Sequence, residues 1–174
     1  MNGDTRGRAR RAFLGGGLAA AGALAGCLGG ITGSEAKKED GLALDTVAVA
    51  GSPGGTMAVK PAGEPALLDF FATWCAPCKP QMAELRAVRE EFPDLHMLSI
   101  TFEEDPGLVE SFWTEYEGRW PVATDPAVRT GERYGVQRIP TLLVLAPDGT
   151  EEWRHVGLAS AAGIGEQVEQ ARER

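Results

Sequence analysis

Two cysteines, Cys75 and Cys78, stand three residues apart in the stretch LLDFFATWCAPCKPQM, which runs from Leu67 to Met82. An apolar run typical of a buried strand precedes them, and a pattern typical of a helix follows. Residues three apart at the start of a helix lie on one face, so the two sulfurs can meet. The helix N-terminus also stabilises a thiolate, which lowers the pKa of the Cys75 thiol and makes it the nucleophile. The spacing therefore predicts a redox couple.

A metal site is the main alternative for such a pair. A single CxxC supplies only half of a zinc site, because four ligands are needed and the chain has no second pair. His96 falls in a predicted strand and His155 near the end of a predicted hairpin, so only a coincidence of folding would bring them to the cysteines. We therefore predict no metal and no cofactor.

Two further residues could take part in the chemistry of the pair. Asp69 lies in the apolar run between Leu68 and Phe70, and burial of a lone carboxyl there would raise its pKa. Pro140 directly precedes the strand-like run TLLVL. A proline at this position lacks a backbone donor and is a candidate for a cis peptide bond, beside which a client chain could dock.

The rest of the chain alternates strand and helix patterns, which indicates the α/β class. The early strands are expected to be parallel, and the closing hairpin is expected to add an antiparallel edge. The predicted elements are a strand at 46–50 followed by a GSPGG turn, a strand at 66–72, a helix at 78–92, a strand at 95–102, a helix opened by Asp105 and Pro106, a shorter helix ending at Gly135, a hairpin joined by Pro147-Asp148-Gly149, and a final amphipathic helix at 159–174.

Length and composition narrow the classes of protein. The 174 residues suggest one folded domain with a real hydrophobic core. The net charge of −8 argues against nucleic acid as a partner, since phosphate binding needs a basic surface. The chain contains no run of 18 uninterrupted apolar residues, so a true membrane span is not expected.

The first 27 residues have the layout of an export signal, with a basic front and a Gly- and Ala-rich apolar middle. Arg10 and Arg11 resemble a twin-arginine signal. The tetrad that ends at Cys27 looks like a lipobox, in which this cysteine is lipidated and becomes the new N-terminus. An uncleaved anchor is the alternative. Residues 28–43 are predicted to be a flexible tether, and residues 44–174 the folded domain.

Cleavage before Cys27 would change the charge of the protein. Four arginines and Asp4 would be lost, which leaves 13 basic and 24 acidic side chains and a net charge of −11. The whole chain has only four lysines. Such an acid-rich, lysine-poor surface is typical of a halophile, so a haloarchaeal source is one hypothesis.

The motif DFFATWCAPCK, followed some sixty residues later by IPTLLVLAPDG, resembles the thioredoxin superfamily. Within it, the chain is similar to the membrane-anchored TlpA/ResA-type thiol–disulfide oxidoreductases over residues 44–174. The resemblance implies a thioredoxin-like fold, in which helices flank a central mixed β-sheet. An extra helical insertion, from Pro106 to Gly118, is expected before the cis-proline.

The resemblance also implies roles for single residues. Cys75 matches the attacking cysteine and Cys78 the resolving one, while Asp69 matches a buried carboxylate that transfers protons to the resolving cysteine. The residues expected to form the client-binding surface are Trp74, Ala76, Pro77, Ile139 and Pro140. One departure concerns charge: no lysine in 95–102 matches the one that pairs with the buried aspartate of thioredoxin.

The function implied is reduction of protein disulfides outside the cytoplasm, in cytochrome c maturation or in repair of exported proteins. The expected partners are disulfide-bearing clients, a membrane electron donor and the membrane itself, through lipid on Cys27 at the outer face of the cytoplasmic membrane. A monomer is expected. The alternatives are an oxidant that inserts disulfides and a non-catalytic metal carrier or docking module.

Overall fold

A computed structural model describes residues 41–174 of the chain. Seven strands and four helices follow one another in this range: β1 (Ala43–Val49), β2 (Ser52–Ala58), β3 (Ala66–Phe71), α1 (Cys78–Glu91), β4 (His96–Thr101), α2 (Pro106–Glu115), β5 (Val122–Thr124), α3 (Arg129–Tyr134), β6 (Thr141–Leu145), β7 (Glu151–Val156) and α4 (Ala161–Arg172). The predicted signal, the lipidation site at Cys27 and nearly all of the predicted tether lie outside the described residues.

The strands form one mixed sheet in the order β2-β1-β5-β4-β3-β6-β7. Strands β3, β4 and β5 are parallel, whereas β6 pairs antiparallel with β3 and with β7. This arrangement confirms the predicted α/β class and the antiparallel closing hairpin. The prediction that the early strands are parallel holds for β3 and β4 but is wrong for the first strand, β1, which is antiparallel to both of its neighbours. Helix α2 lies between β4 and β5, at the predicted place of the helical insertion.

The sequence prediction was wrong at the start of the domain. The strand predicted at 46–50 begins at Ala43, and the predicted GSPGG turn is mostly strand β2. The hairpin turns at Ala50 and Gly51, where Gly51 has φ +76°. Because β2 is an edge strand, it tolerates Pro53, which has no N–H to donate. β1 also pairs antiparallel with β5, so the sheet has an antiparallel edge on both sides.

Strand β3 passes through the centre of the core, and all six of its residues are buried. Such a strand needs apolar cover on both faces of the sheet. Leu68 and Phe70 point into one hydrophobic cluster, which Tyr134 of α3 also joins. Leu67 and Phe71 point into the other, which contains side chains from α1, α2 and α4 together with both cysteines. Since side chains alternate along a strand, Asp69 lies on this second face.

Candidate active site

Cys75 and Cys78 form a disulfide at the start of α1, with an S–S distance of 2.06 Å. The pair that the spacing predicted is therefore assembled. The Cys78 amide donates to the Cys75 carbonyl at 3.2 Å, which closes the turn that leads into the helix. The first turn of α1 contains no acidic side chain, so nothing in that turn opposes the stabilisation of a thiolate by the helix N-terminus.

The residues next to the disulfide are exposed, although the cysteines themselves are 4 % and 2 % exposed. Trp74 is 74 % exposed, and Ala76 and Pro77 also face solvent. This exposure leaves most of the apolar surface of the indole in water directly beside the disulfide. These three predicted client-binding residues therefore lie at the surface around the disulfide.

The Ile139–Pro140 peptide bond is cis, as predicted. Ile139 is partly buried and packs against the cluster that contains the two cysteines. Pro140 is buried, and its carbonyl accepts a hydrogen bond from the Gly157 amide at 2.9 Å. The loop before β6 is thus tied to the end of β7, and Ile139 also packs against the cluster on the other face of the sheet.

The Asp69 carboxyl is 2 % exposed. Burial raises its pKa to about 7, and a hydrogen bond from Ser99 opposes part of that rise. The direction is the one that the sequence predicted. A carboxyl with this pKa can gain or lose a proton near neutral pH, which is what proton transfer to a thiolate requires.

A serine contacts the Asp69 carboxyl, and a tryptophan contacts that serine. The sequence had already shown that residues 95–102 contain no lysine to pair with this carboxyl. Ser99 is the register partner of Asp69 on β4, and the Ser99 hydroxyl lies 2.8 Å from Asp69 Oδ2. The Trp120 indole donates to the Ser99 hydroxyl oxygen at 2.9 Å. Sequence reasoning assigned neither residue to the site; the only available signal was a polar side chain in a strand that should pair with β3.

A second carboxylate holds the loop that enters the site. Glu103 Oε2 accepts from the Thr73 amide at 2.8 Å, and Oε1 accepts from the Thr73 hydroxyl at 2.7 Å. The Thr101 hydroxyl donates a third bond to Oε2 at 3.0 Å. Thr73 is separated from Cys75 by Trp74 alone, so Glu103 fixes the backbone just before the disulfide. The sequence offered no sign of this contact.

Helix α1 is tied to the start of α4 on the same side of the sheet. The buried Gln81 amide donates to the Ala159 carbonyl at 3.1 Å and accepts from the Ala159 amide at 2.8 Å. The Ala161 amide donates to Glu84 at 2.7 Å. These bonds hold the helix that begins at Cys78 against the C-terminal part of the domain.

Both histidines form hydrogen bonds with backbone carbonyls and not with the cysteines. His96 Nε2 bonds the Val59 carbonyl at 3.1 Å, and burial lowers the pKa of the ring. His155 stacks on Trp153, and its Nε2 bonds the Leu158 carbonyl at 3.2 Å. Within residues 41–174, no three His, Cys, Asp or Glu side chains come together as ligands for a metal ion. In the same range, no helix is both long enough and apolar enough to cross a membrane.

The mixed sheet, the disulfide at the start of a helix and the cis-proline define a thioredoxin-like fold. Residues 38–167 match the Redoxin family, and the chain belongs to that family. Solved structures agree on the fold: StoA from Bacillus subtilis superposes with a TM-score of 0.63 at 21% identity, over 72% of this chain and 94% of that one. A secreted Mycobacterium tuberculosis disulfide oxidoreductase homologous to Escherichia coli DsbE superposes with a TM-score of 0.64 at 22% identity, over 74% and 95%.

Curated relatives are similar in sequence over the middle of the chain. Thioredoxin from Chlamydia trachomatis is 35% identical over 92 residues, which cover 53% of this chain and 68% of that protein. The thiol-disulfide oxidoreductase ResA of Oceanobacillus iheyensis is 27% identical over 52% of this chain, and the match spans about half of that relative, 48%. Together with the family match, these relatives support thiol–disulfide oxidoreductase chemistry.

Proposed function

We propose that the protein is a thiol–disulfide oxidoreductase that reduces disulfides of client proteins outside the cytoplasm. The observation that carries the proposal is the Cys75–Cys78 disulfide at the start of α1, with the ionisable Asp69 carboxyl on the same face of the sheet. The exposed Trp74 and the loop with Ile139 and Pro140 would hold an extended client chain beside the sulfurs.

The reaction begins with the reduced pair. The Cys75 thiolate attacks one sulfur of a client disulfide, forms a mixed disulfide and expels the other client sulfur as a thiolate. Cys78 gives its proton to Asp69 and attacks Cys75 Sγ. This attack forms the Cys75–Cys78 bond and releases the second client sulfur. The client gains two electrons and the pair loses two, so an electron donor must reduce the pair again.

Two mutants of the full chain test this order of attack, with insulin as a disulfide-bearing client. Reduced Cys78→Ser should accumulate a mixed disulfide, because Cys75 can attack but nothing resolves the product. The matched variant Cys75→Ser should form none, provided that both variants also carry Cys27→Ser, because Cys27 is the third thiol of the full chain. Non-reducing mass spectrometry of the two reactions separates them, and equal trapping by both variants contradicts the assigned roles.

The direction of transfer is tested by the reduction potential of the pair in the full chain, equilibrated in glutathione or dithiothreitol buffers. A value near or below about −250 mV supports a reductase, since thioredoxin lies in that range. A value near about −120 mV belongs to disulfide donors and would favour the oxidant instead.

The proposed setting is the outer face of the cytoplasmic membrane, with lipid on Cys27 as the anchor and either cytochrome c maturation or repair of exported proteins as the role. The layout of residues 1–27 supports the export step. The M. tuberculosis relative is described as secreted. Intact mass of the cell-derived protein tests the anchor, since cleavage before Cys27 plus acyl chains gives a distinct mass that Cys27→Ser should abolish.

A further inference from the structure

The loop that carries Cys75 is bound to a carboxylate that follows the neighbouring strand. Residues 72–77 join β3 to α1, and within this loop the Cys75 amide donates to the Ala72 carbonyl at 3.1 Å. The Thr73 amide and hydroxyl both donate to Glu103, at 2.8 Å and 2.7 Å. The ends of two neighbouring parallel strands, β3 and β4, are thus held together beside the disulfide.

These contacts limit the distance between the Glu103 carboxylate and the attacking sulfur. The Thr73 nitrogen and the Ala72 carbonyl oxygen belong to one peptide group and lie about 2.2 Å apart. Together with the two hydrogen-bond lengths, this places Glu103 Oε2 within about 8 Å of the Cys75 nitrogen. Covalent geometry keeps Cys75 Sγ within about 4 Å of that nitrogen, so the carboxylate and the sulfur are at most about 12 Å apart.

Glu103 is surrounded by hydrogen-bond donors. Its oxygens receive the two bonds from Thr73 and a third from the Thr101 hydroxyl at 3.0 Å. An ionised carboxylate can only accept, so all three bonds suit the charged form. Because Glu103 is half-buried, its negative charge is fixed at the loop and partly shielded from water.

A fixed negative charge acts on the Cys75 thiol in the opposite direction to the helix N-terminus. The N-terminus of α1 stabilises a thiolate, whereas a nearby carboxylate disfavours a second negative charge. We propose that Glu103 is a positioning residue whose charge destabilises the Cys75 thiolate and thereby makes the reduced pair a stronger electron donor. This role rests on the proposed function, in which Cys75 is the attacking sulfur of a reductase.

The sign follows from the two redox states of the pair. Only the reduced state contains a thiolate, so a charge that destabilises the thiolate disfavours that state and lowers the reduction potential. The separation is about 10 Å, and the effective dielectric constant lies between about 20 at a protein surface and about 80 in water, so the charge should raise the pKa of the Cys75 thiol by about half to one unit. Where Cys75 is ionised, that shift corresponds to about 15 to 30 mV, since a tenfold change in the equilibrium constant of a two-electron couple is about 30 mV.

The charged groups on the helices and on β7 have other contacts. On α1, Lys79 is exposed, and its Nζ lies 5.9 Å from the centre of the Tyr116 ring. Glu84 accepts a hydrogen bond from the Ala161 amide. Helices α2 and α4 contribute apolar side chains to the cluster that contains the cysteines. On β7, the His155 ring bonds a backbone carbonyl.

The charged groups on β3 and on the loops stay in place when Glu103 alone is replaced. Asp69 is buried in β3. Glu104 and Asp105 are exposed, and Arg138 is exposed in the loop before the cis-proline. A difference between Glu103→Gln and the native residue therefore reports the charge of Glu103.

The experiment measures the pKa of the Cys75 thiol in the reduced full chain with Cys27→Ser, in which the pair supplies the only thiols. Alkylation by iodoacetamide is followed between about pH 4 and pH 10, and mass spectrometry of the Cys75 peptide gives the rates. Three further variants are compared on this background. Glu103→Gln removes the charge, Glu104→Gln removes the charge of the exposed neighbour, and Thr73→Val removes one hydrogen bond of the loop but keeps the charge.

Glu103→Gln should lower the pKa of the Cys75 thiol by about half to one unit. Glu104→Gln should shift it by less than about 0.3 unit, because its charge is screened by water and salt. Thr73→Val should also stay within about 0.3 unit, since the carboxylate remains charged. An unchanged or higher pKa in Glu103→Gln would overturn the assignment. So would an equal fall in Thr73→Val or in Glu104→Gln, because a strained loop or a general effect of charge would then be the cause.

The reduction potential at about pH 9, in equilibrium with dithiothreitol, is the second readout. The reduced pair gives two electrons to oxidised dithiothreitol, whose ring disulfide opens to two thiols while the Cys75–Cys78 bond forms. Glu103→Gln should have a potential about 15 to 30 mV higher than the protein with Glu103. Insulin reduction separates this role from the proposed function. A protein with Glu103 that reduces no insulin contradicts the proposed function, whereas normal insulin reduction with equal potentials contradicts the role of Glu103 alone.

Discussion

The buried Asp69 carboxyl should make the folded protein less stable as the pH rises. Its pKa is about 7 in the folded state against 3.8 for an ordinary aspartate. Between these values the folded state holds a proton that the unfolded state has lost, so the contribution of Asp69 is fully present below about pH 4 and is lost as the pH rises through about 7. Each pKa unit is worth 1.36 kcal/mol, so roughly three units correspond to about 4 kcal/mol.

The variant Asp69→Asn exposes this dependence, because a neutral amide of the same shape replaces the carboxyl. Urea denaturation of the oxidised proteins, in which the cysteines do not titrate, gives the free energy of unfolding at each pH. Near pH 4 the two proteins should be similarly stable. By about pH 8 the variant should be the more stable by about 4 kcal/mol.

An exposed carboxylate provides the control for a general effect of charge. Glu166→Gln removes one negative charge from the surface of α4, and its stability relative to the native protein should change little across the same range. A difference between Asp69→Asn and the native protein that stays constant from about pH 4 to pH 8 would refute the reasoning, because it would mean that Asp69 binds no extra proton on folding.

Two further pairs of substitutions test the backbone, one at the β1–β2 turn and one at the entry to the site. Gly51→Ala and Gly55→Ala both place a side chain at positive φ, but a Cβ at Gly51 would lie 2.2 Å from the Arg119 backbone, whereas nothing lies within 4 Å at Gly55. Urea denaturation should therefore show Gly51→Ala to be less stable than Gly55→Ala by about 1 to 3 kcal/mol. Equal losses of stability in the two variants would mean that the contact with Arg119 is relieved. Glu103→Gln replaces one of the two carboxylate oxygens that accept the hydrogen bonds at the entry to the site by an NH2 donor, so it should cost about 1 to 3 kcal/mol of unfolding free energy. The exposed neighbour Glu104→Gln should cost less than about 0.5 kcal/mol. A loss no larger than that of the neighbour would show that the carboxylate does not fix the loop.

The sequence by itself determined the chemistry of the pair and most of the fold around it. Cys75 and Cys78 are close along the chain, so the local turn that leads into α1 brings their sulfurs together. Proline is the residue type in which cis peptide bonds occur, so Pro140 could be found from the sequence. The apolar neighbours of Asp69 in β3 predict that its carboxyl is buried. Local patterns of this kind can be found without knowing which strands become neighbours.

The tertiary structure decided what surrounds the Asp69 carboxyl. Ser99 meets Asp69 only because β3 and β4 pair in one particular parallel register, and a shift by one residue would turn Ser99 to the other face. Trp120 and Ser99 are 21 residues apart in the sequence and form a hydrogen bond in the fold. The sequence around Trp120 indicates only an aromatic side chain that packs against others. The Glu103 contact with Thr73 spans 30 residues in the same way.

The error at the start of the domain has the same origin. Ser52, Pro53 and two glycines are typical of a turn, but pairing with β1 makes them an edge strand, in which neither a missing donor nor a missing side chain is costly. Local residue types determined which groups could react. Pairing between strands distant in sequence determined which groups they meet, because hydrogen bonds across a sheet depend on register and carry no signal in either strand alone.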